Sequence, residues 1–357
     1  MSVFLSIGMG PIQTGIFLAG AVAGGYDRVV VADVDVQLVE AVRKSGYVTI
    51  NIASDSGVVK KKISGLEIYN PLDPEDLKKL IAAAAEAEEI STALPGVTFF
   101  KHIAPWLREG MALNPNLRRF IYAAENDNHA AEKLEAEVGL KLPQTYYLNT
   151  VIGKMSKVFE CSENTRHLES LCPSFTKGHL VEEFNKILID SPPGIESRKI
   201  QGLHPKAELY PFEEAKLFGH NAIHFMLGWY AHKSGLKYMN EISGNKMLLE
   251  YAAGAFVNES GRALCRKWSG KDELFTEAGF QAYTDDLMRR MVNPYLMDSV
   301  ERVIRDLPRK LELNDRVVGT IQTCLSQGVI PEKFIVLAAE CFKSLDKNDP
   351  ARQPLAI

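Results

Sequence analysis

The chain opens on two apolar runs joined through a glycine-rich turn, and few folds accommodate that beginning. Val3-Phe4-Leu5-Ser6-Ile7 runs straight into Gly8-Met9-Gly10-Pro11-Ile12-Gln13-Thr14-Gly15, residues 12–23 have helical periodicity, and Val29-Val30-Val31-Ala32-Asp33 follows. A continuous β-branched run fits a strand covered on both faces, as in a parallel sheet. With a second helix over 36–45, the order strand, helix, strand, helix begins a βαβ layer structure. The expected class is therefore α/β.

The turn itself carries chemistry. Gly8 and Gly10 match the first two glycines of the dinucleotide pattern Gly-x-Gly-x-x-Gly: the first allows a tight turn and the second lets backbone approach a pyrophosphate. The pyrophosphate would rest on free N–H groups at the helix start, Ile12 and Gln13 included. Gln13 stands where the third glycine is expected, and the next glycine is Gly15. Asp33 ends the second strand about two dozen residues on, where a carboxylate can bond the adenosine ribose hydroxyls and repel a 2′-phosphate. Asp35 is available to cap the following helix, which leaves Asp33 free. NAD is the expected cofactor. Ser91-Thr92-Ala93-Leu94-Pro95 ends a later strand, and ligands of such sheets lie beyond the carboxyl ends of the strands. Thr92 and Ala93 are expected at the nicotinamide end.

Further along, 47–51 and 58–63 alternate around Ser54-Asp55-Ser56-Gly57, which predicts a hairpin inserted in the α/β pattern. Asp73-Pro74 begins a helix as cap and first residue. Strands are expected over 89–93, 120–124, 146–152 and 186–190. Beyond about residue 205 the pattern is helical, with stretches over 213–234, 244–269, 275–292, 298–307, 315–327 and 331–345. The predicted division is a nucleotide-binding domain over 1–200 and a helical, catalytic domain over 201–357.

Charge narrows the partners. With 41 basic and 45 acidic residues the net charge is −4, unlike a general nucleic-acid binder. No apolar run approaches the roughly 20 residues that span a bilayer. The N-terminus has no basic region or cleavage signal, so no secretory leader is expected. Five scattered cysteines do not suggest a disulfide framework, and a cytoplasmic location is expected. Cys161, His167 and Cys172 match no common zinc spacing.

The densest polar cluster of the second half is Glu214-Ala215-Lys216-Leu217-Phe218-Gly219-His220-Asn221-Ala222-Ile223-His224. At 100° per residue, Lys216, His224 and Asn221 fall within about 140° of one another on a helix. A lysine buried among Leu217, Phe218, Ile223 and Phe225 loses its proton more readily and becomes a usable general base. Asn221 can donate to an alkoxide or carbonyl oxygen, and His224 can hold a second hydroxyl. His220 and His224 form an i,i+4 pair with no evident third ligand, so no metal is expected.

Lys216-x4-Asn221-x2-His224 resembles the signature of the polyol-specific long-chain dehydrogenases, the mannitol dehydrogenase family. Asn293-Pro294-Tyr295-Leu296-Met297-Asp298-Ser299-Val300-Glu301-Arg302-Val303, then Pro308-Arg309-Lys310-Leu311 and Asp315-Arg316, resemble stretches of its mannitol-1-phosphate members. Ala124-Glu125-Asn126 is similar to the family's acidic-Asn pair. The resemblance implies a Rossmann-type N-terminal domain with a mainly parallel sheet and a mostly helical C-terminal domain. It implies Lys216 as general base, Asn126 and Asn221 as oxyanion donors, His224 as a substrate-positioning residue, and metal-independent hydride transfer with NAD. The implied substrate is a polyol or sugar phosphate, with mannitol 1-phosphate and fructose 6-phosphate the expected pair. Lys154, Arg309, Lys310 and Arg316 are candidate phosphate cations. A hexuronate (fructuronate or tagaturonate) reductase of the same family and a non-catalytic nucleotide sensor are the alternatives. The family's Asp-Arg pair is Gly153-Lys154 here, and His220 is an added histidine, which leaves the substrate open. A monomer or small homo-oligomer is expected.

Overall fold

A computed structural model describes residues 1–345, in which the chain forms two compact units, one over Met1–Leu209 and one from Tyr210 onward. The strands, all in the first unit, are β1 (Val3–Ile7), β2 (Arg28–Ala32), β3 (Tyr47–Ala53), β4 (Val58–Ser64), β5 (Leu66–Tyr69), β6 (Glu89–Thr92), β7 (Arg119–Ala123), β8 (Thr145–Val151), β9 (Ser156–Glu160), β10 (Lys177–Glu182), β11 (Ile187–Asp190) and β12 (Leu203–Lys206).

The main sheet has eight strands in the order β12-β11-β8-β7-β6-β1-β2-β5. From β5 to β8 every neighbouring pair is parallel. Counted along the chain without the inserted strands, that run reads 3-2-1-4-5-6, the doubly wound dinucleotide-binding order. β11 pairs antiparallel with β8, and β12 parallel with β11. Both faces are covered, which explains the unbroken apolar runs. Phe4, Val29, Val31, Phe120 and Tyr122 lie in one core cluster, while Leu5, Ile7, Val30, Ile121 and Ala123 lie in the other.

The expected hairpin is present. β3 and β4 pair antiparallel from Tyr47↔Ser64 to Ala53↔Val58, closed by Ser54 N–H donating to the Gly57 carbonyl at 2.8 Å. It belongs to a second, four-stranded sheet in the order β4-β3-β10-β9. Strands β5, β9, β10 and β12 were not legible in the sequence. β12 contains Pro205 and β10 contains a glycine and a buried His179, so neither has a clean alternation. β12 also corrects the boundary: it pairs with β11, so the first unit extends past residue 200 to Leu209.

The second unit is helical. Its first helix runs over 210–233 as Tyr210–Glu214, a π-helical stretch Ala215–Asn221, and Ala222–Lys233. Further helices include Lys246–Ala255, Glu277–Met291, Val318–Ser326 and Glu332–Ser344. The helix expected over 298–307 is shorter, Val300–Ile304, because the chain turns sharply at Asp306, whose φ of +62° is left-handed. No helix among the described residues is long and apolar enough to cross a membrane.

Candidate functional site

The first unit presents its site where the strand order reverses, between β1 and β6. Gly8 follows β1 with φ +86°, a conformation suited to glycine. A Cβ there would also meet the Ala93 carbonyl oxygen at 3.0 Å. At Gly10 an added Cβ would meet nothing within 4 Å, so the space beside this backbone is open. A helix follows over 11–24 with partly exposed Ile12 in its first turn, and these features fit a pyrophosphate.

Asp35 caps the next helix, accepting from Leu38 N–H at 3.1 Å. Asp33 is thus not the cap. It accepts from Asp35 N–H at 2.9 Å and stays partly exposed at the end of β2. Burial pushes its carboxyl above the usual range, while backbone N–H groups of Asp35 and Met9 oppose this.

Two expected cofactor contacts turn inward. Gln13 is fully buried; its amide donates to Ser6 Oγ at 2.6 Å and to Ser91 Oγ, tying the helix start to β1 and β6. Thr92 is fully buried and donates to Glu125 at 2.9 Å. Glu125 also accepts from Leu94 N–H at 2.8 Å, and burial raises its pKa against these bonds. These side chains brace the loops that carry Gly8, Ala93 and Asn126. Ala93 is partly exposed and Asn126 exposed at the carboxyl ends of β6 and β7. The packing role of the missing third glycine has moved to Gly15, where a Cβ would come within 2.8 Å of Val181 on β10.

In the second unit the π-helical stretch changes the geometry expected from regular periodicity. A π turn bonds residues five apart, so Lys216 and Asn221, five apart in sequence, stack one turn from each other rather than diverging around the helix. Single π turns are rare and frequent at functional sites. Dense protein surroundings lower the Lys216 pKa to about 8; Glu213 opposes the shift and Arg316 adds to it. His220 is buried, and its pKa lies well below the usual value through burial, aided by His224 and Arg290. Its ring centroid is 6.2 Å from that of His224. Among the described residues no group of three His, Cys, Asp or Glu is arranged to hold a metal.

His224 Nε2 lies 3.1 Å from Asp298 Oδ2. Asp298 is 74 positions away in sequence, and no spacing rule joins the two before the helices pack. Next to His224 is a cavity of about 230 Å³, also lined by Arg302, Arg305, Arg309, Lys310 and Arg316. Arg309 and Arg316, expected as phosphate cations, meet there. Lys310 does too, but as a buried group: its Nζ donates to the carbonyls of Val303 (2.8 Å) and Arg305. Burial, with Arg316 and Arg309 nearby, lowers its pKa to about 8. Lys154 is elsewhere, in the first unit, buried and donating to the Phe184 carbonyl at 2.7 Å. Its ammonium is engaged by that loop rather than lining the cavity of the second unit. Arg305 also lines the cavity, and as a single arginine in a charged segment it has no periodic signal in the sequence.

Residues 208–357 match the family model for the mannitol dehydrogenase C-terminal domain. A mannitol-1-phosphate 5-dehydrogenase of Lactococcus lactis subsp. cremoris (strain MG1363) is 29% identical over 308 residues, 84% of this chain and 76% of that protein. One from Paenarthrobacter aurescens (strain TC1) is 28% identical over 335 residues, 91% of this chain and 82% of that one. In fold, the chain is similar to a Pseudomonas fluorescens mannitol 2-dehydrogenase solved with NAD and D-mannitol, with a TM-score of 0.70, 14% identity, and coverage of 97% of this chain and 80% of that one. The chain is therefore similar to mannitol-1-phosphate 5-dehydrogenases over most of its length, and its residues 208–357 match the mannitol dehydrogenase C-terminal domain family.

Proposed function

We propose that the protein is an NAD-dependent polyol-phosphate dehydrogenase that interconverts mannitol 1-phosphate and fructose 6-phosphate without a metal. The observation that carries this reading is Lys216, a lysine with a pKa of about 8, one π turn from Asn221 and on the same helix as His224. The names of the two bacterial relatives support the substrate, and the mannitol 2-dehydrogenase of similar fold, solved as a complex with NAD, supports the cofactor.

The first unit would hold the cofactor through Gly8, Gly10, Ile12 and Ala93, with Asp33 on the adenosine ribose. The chemistry a bound NAD supplies is uptake of a hydride from the carbinol carbon. Lys216 Nζ takes the hydroxyl proton as the carbon–oxygen double bond forms. Asn221 donates to that oxygen as charge develops. The carboxylate of Asp298, 3.1 Å from Nε2, would orient the His224 ring toward a neighbouring substrate hydroxyl. In ketose reduction the Lys216 ammonium returns its proton.

The cationic cavity also suits a carboxylate, so a hexuronate reductase is the second reading. The test is a substrate panel with NADH: fructose 6-phosphate, fructose, fructuronate and tagaturonate. Fastest turnover of fructose 6-phosphate, lost in Lys216→Ala, is the expected result. Preference for a hexuronate, or full activity in that variant, overturns the reading. Binding of NADH with no turnover in the panel would favour a sensor. A cytoplasmic location and a monomer or small homo-oligomer accompany the proposal.

A further inference from the structure

The cavity beside His224 is unusually rich in cations for its size. Four guanidiniums and one ammonium line it, and the lining carboxylate is Asp306. Most of that charge is already engaged. Arg302 is 2.7 Å from Asp298, Arg309 is 2.6 Å from Asp306 and 2.8 Å from Asp315, and Arg316 is 2.8 Å from Asp315. Lys310 spends its protons on two backbone carbonyls. Arg305 differs: among the described residues it has no carboxylate within ion-pair distance, and its side chain remains exposed at the cavity wall.

The backbone around Arg305 is fixed on both sides. Its N–H donates to the Glu301 carbonyl at 3.0 Å, closing the helix Val300–Ile304. Its own carbonyl accepts from the buried Lys310 ammonium. The left-handed Asp306 then reverses the chain into the short helix Leu307–Lys310, bringing Arg305, Arg309 and Lys310 to one concavity. With the backbone fixed and no carboxylate partner among the described residues, the Arg305 guanidinium has its planar donor fork available, and that fork matches a phosphate with two parallel bonds. Five cations against Asp298, Asp306 and Asp315 leave a local excess suited to a dianion. His224 lines the same cavity and belongs to the helix of Lys216, so an anion here would sit at the far end of a substrate whose alcohol meets Lys216.

We infer that this cavity is the substrate's phosphate subsite and that Arg305 is the specificity-determining contact, selecting a phosphorylated over a neutral polyol. This rests on the phosphorylated-substrate reading above. Arg309 and Arg316 supply field, and Lys310 is a positioning residue for the Arg305 backbone.

The experiment compares wild type, Arg305→Gln and Arg305→Lys for NADH-dependent reduction of fructose 6-phosphate and fructose, with inorganic phosphate as a dead-end competitor. In Arg305→Gln the ratio of kcat/KM for fructose 6-phosphate to that for fructose falls roughly 100-fold, mainly through KM, and inhibition by inorganic phosphate weakens about tenfold. Arg305→Lys recovers part of both, because charge is restored without the fork. If wild type reduces fructose 6-phosphate and both readouts are unchanged in Arg305→Gln, this inference alone is overturned. If wild type reduces fructose but not fructose 6-phosphate, the phosphorylated-substrate reading falls and takes the subsite with it.

Discussion

Asp298 joins His224 to Arg302: His224 Nε2 is 3.1 Å from Asp298 Oδ2, and Arg302 is 2.7 Å from Asp298 Oδ1. Burial pushes the Asp298 carboxyl up, but His224 and Arg302 outweigh it and hold the group below its usual value. The carboxylate therefore ties the helix that carries Lys216 to the wall of the cationic cavity. Asp298→Asn keeps the shape and removes the charge. The expected result is a loss of about 1–3 kcal/mol in unfolding free energy, together with a rise in KM for the sugar phosphate larger than the fall in kcat. A destabilised variant with wild-type KM would show that the pair is structural only.

With Lys216 as the proposed base, its pKa predicts the pH dependence. Its pKa of about 8 lies below the ordinary lysine value of 10.5 through burial. Polyol oxidation needs the free amine, so below pH 8 the rate should fall about tenfold per pH unit, and above it level off. Ketose reduction needs the ammonium and should show the opposite slope, declining as pH rises through about 8. Rate–pH profiles in both directions check this. Lys216→Arg, which stays charged, is expected to abolish oxidation across the range; a profile in wild type with no inflection between about pH 7 and 9 would remove Lys216 as the base.

The doubly wound order was legible because Val3–Ile7 and Arg28–Ala32 are apolar on both faces, and only a sheet covered on both sides demands that. The tight turn after β1 was legible in Gly8 because a positive φ has a residue signature. The π-helical stretch was not. Nothing in Ala215–Asn221 distinguishes a π turn from an α turn, since the extra residue per turn is stabilised by surrounding packing. The inward turn of Gln13 and Thr92 was hidden for a related reason: their partners Ser6, Ser91 and Glu125 become neighbours only when β1, β6 and β7 align. The cations of the cavity were partly legible. Arg309 and Arg316 reach the cavity, whereas Lys154 is similar in sequence character and is buried, held by the Phe184 carbonyl.

Gly15 tests the altered nucleotide fold. A Cβ at this position would lie 2.8 Å from Val181 Cγ1, and a β-branched side chain on a strand has little room to turn away. Gly15→Ala should cost about 1–3 kcal/mol from overpacking, seen as a lower melting temperature without nucleotide. Pairing it with Val181→Ala should restore much of the loss. Failure of the second change to rescue the first would mean that Gly15 is needed for backbone reasons rather than for space against β10.

In the proposed cofactor site, Asp33 is predicted to select between the two nicotinamide cofactors. It is a partly exposed carboxylate, freed from capping by Asp35 and fixed by the Asp35 N–H. Bonds from ribose hydroxyls to a charged acceptor contribute about 1.5–3 kcal/mol, and the same charge repels a 2′-phosphate. Asp33→Ser removes both effects. KM for NADH should rise roughly tenfold to 100-fold, while KM for NADPH falls, so the NADH preference shrinks from both sides. Because burial already raises the Asp33 pKa, NADPH use by wild type should improve as pH falls toward the carboxylate range and part of the repulsion is neutralised. Steady-state measurements with both cofactors at fixed fructose 6-phosphate read this out. An unchanged cofactor ratio in Asp33→Ser would move the ribose contact to another residue of the β2 loop.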